Sequence, residues 1–290
     1  MVSPQAGHVV TLPVRGIPAS VREEDVTANL LGLEFDGSVA SFTARPDLCT
    51  LANRAFGGAQ VAAAILACER AIGRPAIMIS CQFTAPTPVG ARVSIEAEAV
   101  ATGQFVTQAR AHGCAQGRVV FEALLSLGGL EEPLPTYAPL CPALPPPDRC
   151  SVVPAVTAEE DATIWGHLEW RVGRGWIGLG ARPRLDPAGP GRVAGWVRLR
   201  GIRRGDRASL AMLADWIPTA ASDLFGMRSR GTSLDNSLRI LRPPSGEWVL
   251  LDVQTDGFAH GIAHGSARLW NDQGDLLAVA SQSFRPAPNP

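Results

Sequence analysis

The chain has 290 residues, of which 46 % are hydrophobic and 18 % charged, with a formal net charge of −1. That balance suits a soluble globular protein and lacks the basic footprint of a nucleic-acid or acidic-membrane binder. All 26 basic residues are arginine, so Schiff-base chemistry and a P-loop lysine are excluded.

Met1–Arg22 carries no apolar run of the signal-peptide kind, and no later run is long enough to cross a bilayer. A cytoplasmic protein without membrane insertion is expected. From about Glu34 the pattern becomes regular. Val39–Ala44 reads as a strand. Phe56–Ile72 reads as a helix, with Val61, Ile65, Cys68 and Ile72 at three- and four-residue spacing and Gly73 past its end. Strands are expected at Ala76–Phe83, Arg92–Thr102, Phe105–Cys114 and Arg118–Leu127. They are broken by the turn chemistry of Pro86-Thr87-Pro88, Thr102-Gly103 and Gln116-Gly117. Strands joined by short turns pair antiparallel, and one helix covers a face.

Glu131–Pro154 is proline-rich and aperiodic, a linker draped over the surface. Strands resume at His167–Val172 and Ala194–Arg200, and Ala208–Phe225 is read as one helical segment. The strands Ser233–Leu241, Trp248–Thr255, Gly261–Trp270 and Leu276–Phe284 close the chain. The expected division is a unit at 1–130, a linker at 131–163 and a second unit at 164–290.

The two units repeat at a constant offset of 157 residues. Phe83-x-x-Pro86 returns as Ile240-x-x-Pro243, and Gln116-Gly117-x-Val119-Val120 as Gln273-Gly274-x-Leu276-Leu277. Two copies of one supersecondary unit imply that each needs the other to bury its apolar face. The expected class is α+β, with two fused units in one antiparallel sheet around two long helices. Three polar residues break the symmetry. Asp215, Ser233 and Gln282 fall on Gly58, Ala76 and Leu125 of the first copy.

Other signals carry less. Gly173-x-Gly175-x-x-Gly178 satisfies a dinucleotide fingerprint, but Pro183 and Pro187 follow it and deny it the helix it needs, so a glycine-rich hairpin is the better reading. His260 and His264 lack a third ligand, and Cys49, Cys68, Cys81, Cys114, Cys141 and Cys150 lack metal-site spacing; no metal, no cofactor and reduced thiols are expected. Asp215 lies in the apolar run Leu210–Pro218. It either caps a helix that restarts before Pro218, or it is a buried carboxylate that must meet water, a partner or a site. Gly57-Gly58 either permits tight packing at the helix start or bares N–H groups to a carbonyl oxygen. Asp235 and Asn236 read as turn or strand-edge groups.

Phe56-Gly57-Gly58, Ser80-Cys81-Gln82-Phe83-x-x-Pro86, Leu213-Ala214-Asp215-x-x-Pro218, Ser233-Leu234-Asp235-Asn236-Ser237, Trp270-x-Asp272-x-Gly274 and Ala280-Ser281-Gln282 together resemble the acyl-CoA thioesterase II family, the double-hotdog thioesterases. The resemblance implies an Asp, Ser/Thr and Gln set that holds one water against a thioester carbonyl. Asp215 matches the aspartate and Gln282 the glutamine, while Ser233 stands where the family has threonine. It also implies an acyl-CoA or acyl-carrier thioester as substrate. Gly57 and Gly58 would face the carbonyl oxygen, and homo-oligomers are expected. The alternatives are a hotdog hydratase or dehydratase, which usually needs a histidine near its helix, and a non-catalytic acyl-binding scaffold. Neither Ala55–Leu66 nor Ala208–Phe225 contains a histidine.

Overall fold

A computed structural model describes residues 26–129, 137–153, 157–178 and 191–288. The first unit contains β1 (Val39–Thr43), α1 (Gly57–Ile72), β2 (Ala76–Phe83), β3 (Arg92–Thr102), β4 (Val106–Ala115) and β5 (Arg118–Gly128). The second contains β6 (Leu168–Arg174), β7 (Arg192–Leu199), α2 (Arg207–Ala214), α3 (Ala220–Phe225), β8 (Ser229–Ser233), β9 (Asp235–Ile240), β10 (Val249–Ala259), β11 (Ile262–Trp270) and β12 (Leu276–Pro288). Among the described residues the strands form one 14-stranded sheet, in the order β1-β3-β4-β5-β2-β9-β12-β11-β10-β7-β6. Glu34–Asp36 and Ser151–Val152 extend its two ends, and β8 pairs with β12.

The units join where β2 pairs antiparallel with β9. Ser80 lies opposite Ser237 in that pairing, and Ser237 Oγ donates to Ser80 Oγ at 3.2 Å across a separation of 157 residues. A residue facing its own repeat partner marks a pseudo-twofold axis. One continuous core then joins buried residues of both units, among them Ile65, Ile79 and Leu125 from the first and Leu213, Leu238 and Phe284 from the second. Sheet and helices therefore share one interior.

α1 is alanine-rich and buried continuously from Gly58 to Cys68. Its small side chains let α2 pack closely across the axis. It ends at Gly73, which is left-handed at φ 73° and donates its N–H to Glu69.

The second copy departs from the expected single helix over Ala208–Phe225. α2 starts at Asp206, whose carboxylate accepts the Ser209 N–H at 2.8 Å, and stops at Ala214. A 3₁₀ turn at Ile217–Thr219 follows, then α3. Pro218 explains the break. It has no N–H to give the carbonyl of Ala214 four residues earlier, and its ring would collide with that carbonyl. Asp215 and Trp216 sit at this break and are turned toward the junction of the units.

Residues 137–150 lie on the outer face of the second unit. Ala138, Cys141 and Leu144 cover Trp196, Leu250, Trp270 and Leu276, and Trp196 Nε1 donates to the Pro145 carbonyl at 2.8 Å. The six cysteines form no disulfide. Gly175 and Gly178 have φ of +72° and +85° in the connection after β6; residues 179–190, where Pro183 and Pro187 fall, lie outside the described residues. Among the described residues no helix is long and apolar enough to cross a membrane.

Candidate active site

The helix break and the start of α1 meet beside the pseudo-twofold axis, under the junction of β9 and β12. A cavity of about 350 Å³ opens there. Its wall takes Phe56, Gly57 and Phe83 from the first unit and Asp215, Trp216 and Ser233 from the second.

Asp215 is buried, with 5 % exposure, yet it reaches this wall. Its Oδ1 accepts from Gln282 Nε2 at 2.6 Å and from Asn236 Nδ2 at 3.0 Å. Its Oδ2 accepts the backbone N–H of Gly58 at 2.6 Å. Those bonds fix the carboxylate without neutralising it. Burial pushes its pKa up to about 6, and the hydrogen bonds from Asn236, Gly58 and Gln282 hold it down against that. Asp215 occupies the C-cap position of α2, but its side chain reaches these three partners instead of capping the helix.

Gln282 and Ser233 join the same cluster. Gln282 is fully buried on β12, on the inner face with Ala280 and Phe284, and its Nε2 donates also to Ser233 Oγ at 2.7 Å. It stands behind Asp215 and Ser233 and does not reach the cavity wall. Asp215 and Ser233 thus meet the cavity directly, and Gln282 ties one to the other. Ser233 is the last residue of β8, not the first of a strand running to Leu241. Leu234 interrupts that run by giving its carbonyl to the Phe83 N–H and its N–H to the Ser283 carbonyl.

The two glycines divide. The Gly58 N–H is taken by Asp215, whereas Gly57 faces the cavity and its N–H has no acceptor among the described residues. A methyl group at Gly57 would lie 2.8 Å from Asp215 Oδ2, so only glycine lets the carboxylate approach so near.

Asn236 was passed over in the sequence as a strand-edge group, and it is fully buried against Asp215. The signal was parity: in Asn236, Leu238 and Ile240, every second residue faces inward, and an inward asparagine needs a partner. Asp235, on the other face, accepts the Ser283 N–H at 2.6 Å and is the strand-edge group expected. Trp165 and Ile177 also line the cavity from outside any predicted element, with Trp165 4.3 Å from Trp216 between ring centroids. His264 contacts Ser283 Oγ, on a different strand pair from the cavity.

A duplicated sheet-and-helix unit about one pseudo-twofold axis defines a double-hotdog protein. The profile of the acyl-CoA thioesterase N-terminal domain matches residues 44–128, and that of the C-terminal domain matches residues 147–285. The chain belongs to the acyl-CoA thioesterase family and is a thioester hydrolase. A solved thioesterase candidate from Novosphingobium aromaticivorans is 32 % identical over 87 % of this chain and 97 % of that one, with a TM-score of 0.78. The same fold appears in a hot dog fold protein from Alicyclobacillus acidocaldarius, 21 % identical over 91 % of this chain and 99 % of that one, TM-score 0.78. It appears too in the acyl-CoA thioesterase II TesB2 from Mycobacterium marinum, 16 % identical over 91 % and 98 %, TM-score 0.67. Among curated proteins no match was found.

Proposed function

We propose that the chain hydrolyses acyl-CoA thioesters by an attacking water held between Asp215 and Ser233. The observation that carries this is the unfilled side of the carboxylate. Oδ1 already accepts two hydrogen bonds, while Oδ2 accepts, among the described residues, only the Gly58 N–H and keeps a lone pair beside Gly57 at the cavity wall. A water there gives one proton to Asp215 as general base and attacks the thioester carbon. Ser233 Oγ accepts from Gln282, which leaves its own O–H to orient that water. Negative charge grows on the carbonyl oxygen, and the Gly57 N–H at the start of α1 is the donor suited to it. The thiolate then departs, helped by a thiol pKa of roughly 8.5. Arg54 and Arg230 are exposed at the cavity rim and suit the phosphates of CoA.

The direct test is a series of acyl-CoA substrates from short to long, with released thiol measured. A folded protein that frees thiol from none of them is not an acyl-CoA hydrolase.

Asp215 must be ionised to act, so activity is expected to rise with pH, to be half-maximal near the value of about 6 for its carboxyl, and to level off above it. Asn236→Ala removes a donor to the ionised form, so its kcat/KM profile should move to higher pH. A lower plateau at an unmoved midpoint would mean that Asn236 only packs.

A further inference from the structure

One polar pair on the cavity wall has no part in the hydrolytic arrangement. Gln60 lies one turn after Gly57 on α1, so the two share a helix face. Thr87 comes from the Pro86-Thr87-Pro88 turn and is held against the start of that helix, its carbonyl accepting the Ala55 N–H at 2.9 Å. Thr87 Oγ1 donates to Gln60 Oε1 at 2.8 Å. Gln60 is 4 % and Thr87 1 % exposed, and both line the cavity. Gln60 Nε2 meets no acceptor among the described residues. Whichever way the amide is turned, Thr87 takes one end and the other is left to the cavity.

An amide end open to the cavity hydrogen-bonds water until a substrate displaces it, and the displacing group must replace that bond. Phe56, Phe83, Trp165, Trp216 and Ile177, also on this wall, offer it nothing. An alkyl chain against Gln60 would shut water out without replacing its hydrogen bond, whereas a substrate oxygen would replace it. We propose that Gln60 and Thr87 form a polar subsite that takes a hydrogen-bonding oxygen of the substrate a few bonds from the thioester. The distance follows from the helix, since Gly57 and Gln60 are three residues apart, or about 4.5 Å of rise. This rests on the hydrolytic reading above, with the carbonyl oxygen at Gly57. Two sources offer the same chemistry: a hydroxyl or oxo group on the acyl chain, and the first amide of the pantetheine arm.

Four substrates separate them. Butyryl-CoA and 3-hydroxybutyryl-CoA differ only in the acyl oxygen. Butyryl thioesters of N-acetylcysteamine and butanethiol differ in the amide. The wild-type protein is expected to favour the oxygen-bearing member of one pair by about tenfold or more in kcat/KM. Gln60→Met/Thr87→Val removes both polar partners while keeping volume, and the ratio for that pair should fall toward one. The pair that collapses identifies the source. If wild type discriminates within neither pair, or the double variant keeps the wild-type ratios, the subsite is wrong while the Asp215 reading stands. If wild type frees thiol from none of the four, the hydrolytic reading itself has failed. Should the double variant not melt cooperatively, Gln60→Met alone carries the test. It removes the amide end that meets the substrate and leaves Thr87 in place, so the preference for the oxygen-bearing substrate should fall; an unchanged preference overturns the subsite.

Discussion

Asp215→Asn is expected to lower kcat/KM by roughly 10²-fold or more, the size typical of losing a general base. The fold and the cavity should survive, because asparagine fills the same space. The outcome separates the two roles open to this residue from sequence alone, since asparagine caps a helix about as well as aspartate does and a cap would make the change nearly neutral. Stability should move the opposite way to activity. The folded carboxyl holds its proton up to about pH 6 against a reference value of 3.8, so the ionised form is the one the fold resists. Stability is therefore fullest below the unfolded value and is lost as pH rises through the folded one, by on the order of 3 kcal/mol. Asp215→Asn escapes that loss. Urea denaturation should show the variant at least as stable as wild type at pH 8 and without advantage at pH 4. An active, well-folded Asp215→Asn protein would remove the catalytic assignment.

The extent to which this arrangement can be read from sequence depends on the range of the interactions involved. Local chemistry was enough for the strands. Gln116 and Gly117 both have positive φ, 51° and 71°, which is the hairpin geometry that the dipeptide and its flanking apolar runs suggest. Ala76–Phe83 and Arg92–Thr102 fall where alternation and turn residues place them. The constant offset carried the single sheet, because repeated elements with unburied faces have to share a core. The helix break at Asp215 was harder, since α2 and α3 are each alanine-containing and apolar enough to read as one segment. Only the collision of Pro218 with the carbonyl of Ala214 divides them. The bond from Gly58 to Asp215 lay out of reach altogether. It depends on how closely two helices approach across an axis, and nothing within either segment states that distance. Asn236 was legible from its inward parity on β9, but parity does not name its partner, which sits 21 residues away on another element.

Gly58 is the position where that approach can be tested, and Gly58→Ala is expected to cut kcat/KM by about 10²-fold or more. A Cβ there would lie 2.7 Å from the Phe56 ring, 2.9 Å from the Ala211 carbonyl and 2.9 Å from Asp215 Cβ. The Ala211 oxygen belongs to the backbone of α2, so α1 and α2 must separate, at a cost of about 1–3 kcal/mol. Separation lengthens the bond from the Gly58 N–H and displaces the carboxylate, and a displacement of about 1 Å is enough for such a loss in rate. The asymmetry of the site can be tested by exchanging the pair, since Gly58→Asp/Asp215→Gly restores one glycine and one aspartate across the axis. A symmetric site would recover activity in the exchanged protein. Recovery is not expected. The first-copy positions that correspond to Asn236, Ser233 and Gln282 are Ile79, Ala76 and Leu125, all buried and apolar. A carboxylate at position 58 would find no donor among them, would be held protonated by burial, and could not act as a base at neutral pH. Thiol release by the exchanged protein near the wild-type rate would show that the axis, and not the second copy's polar residues, makes the site.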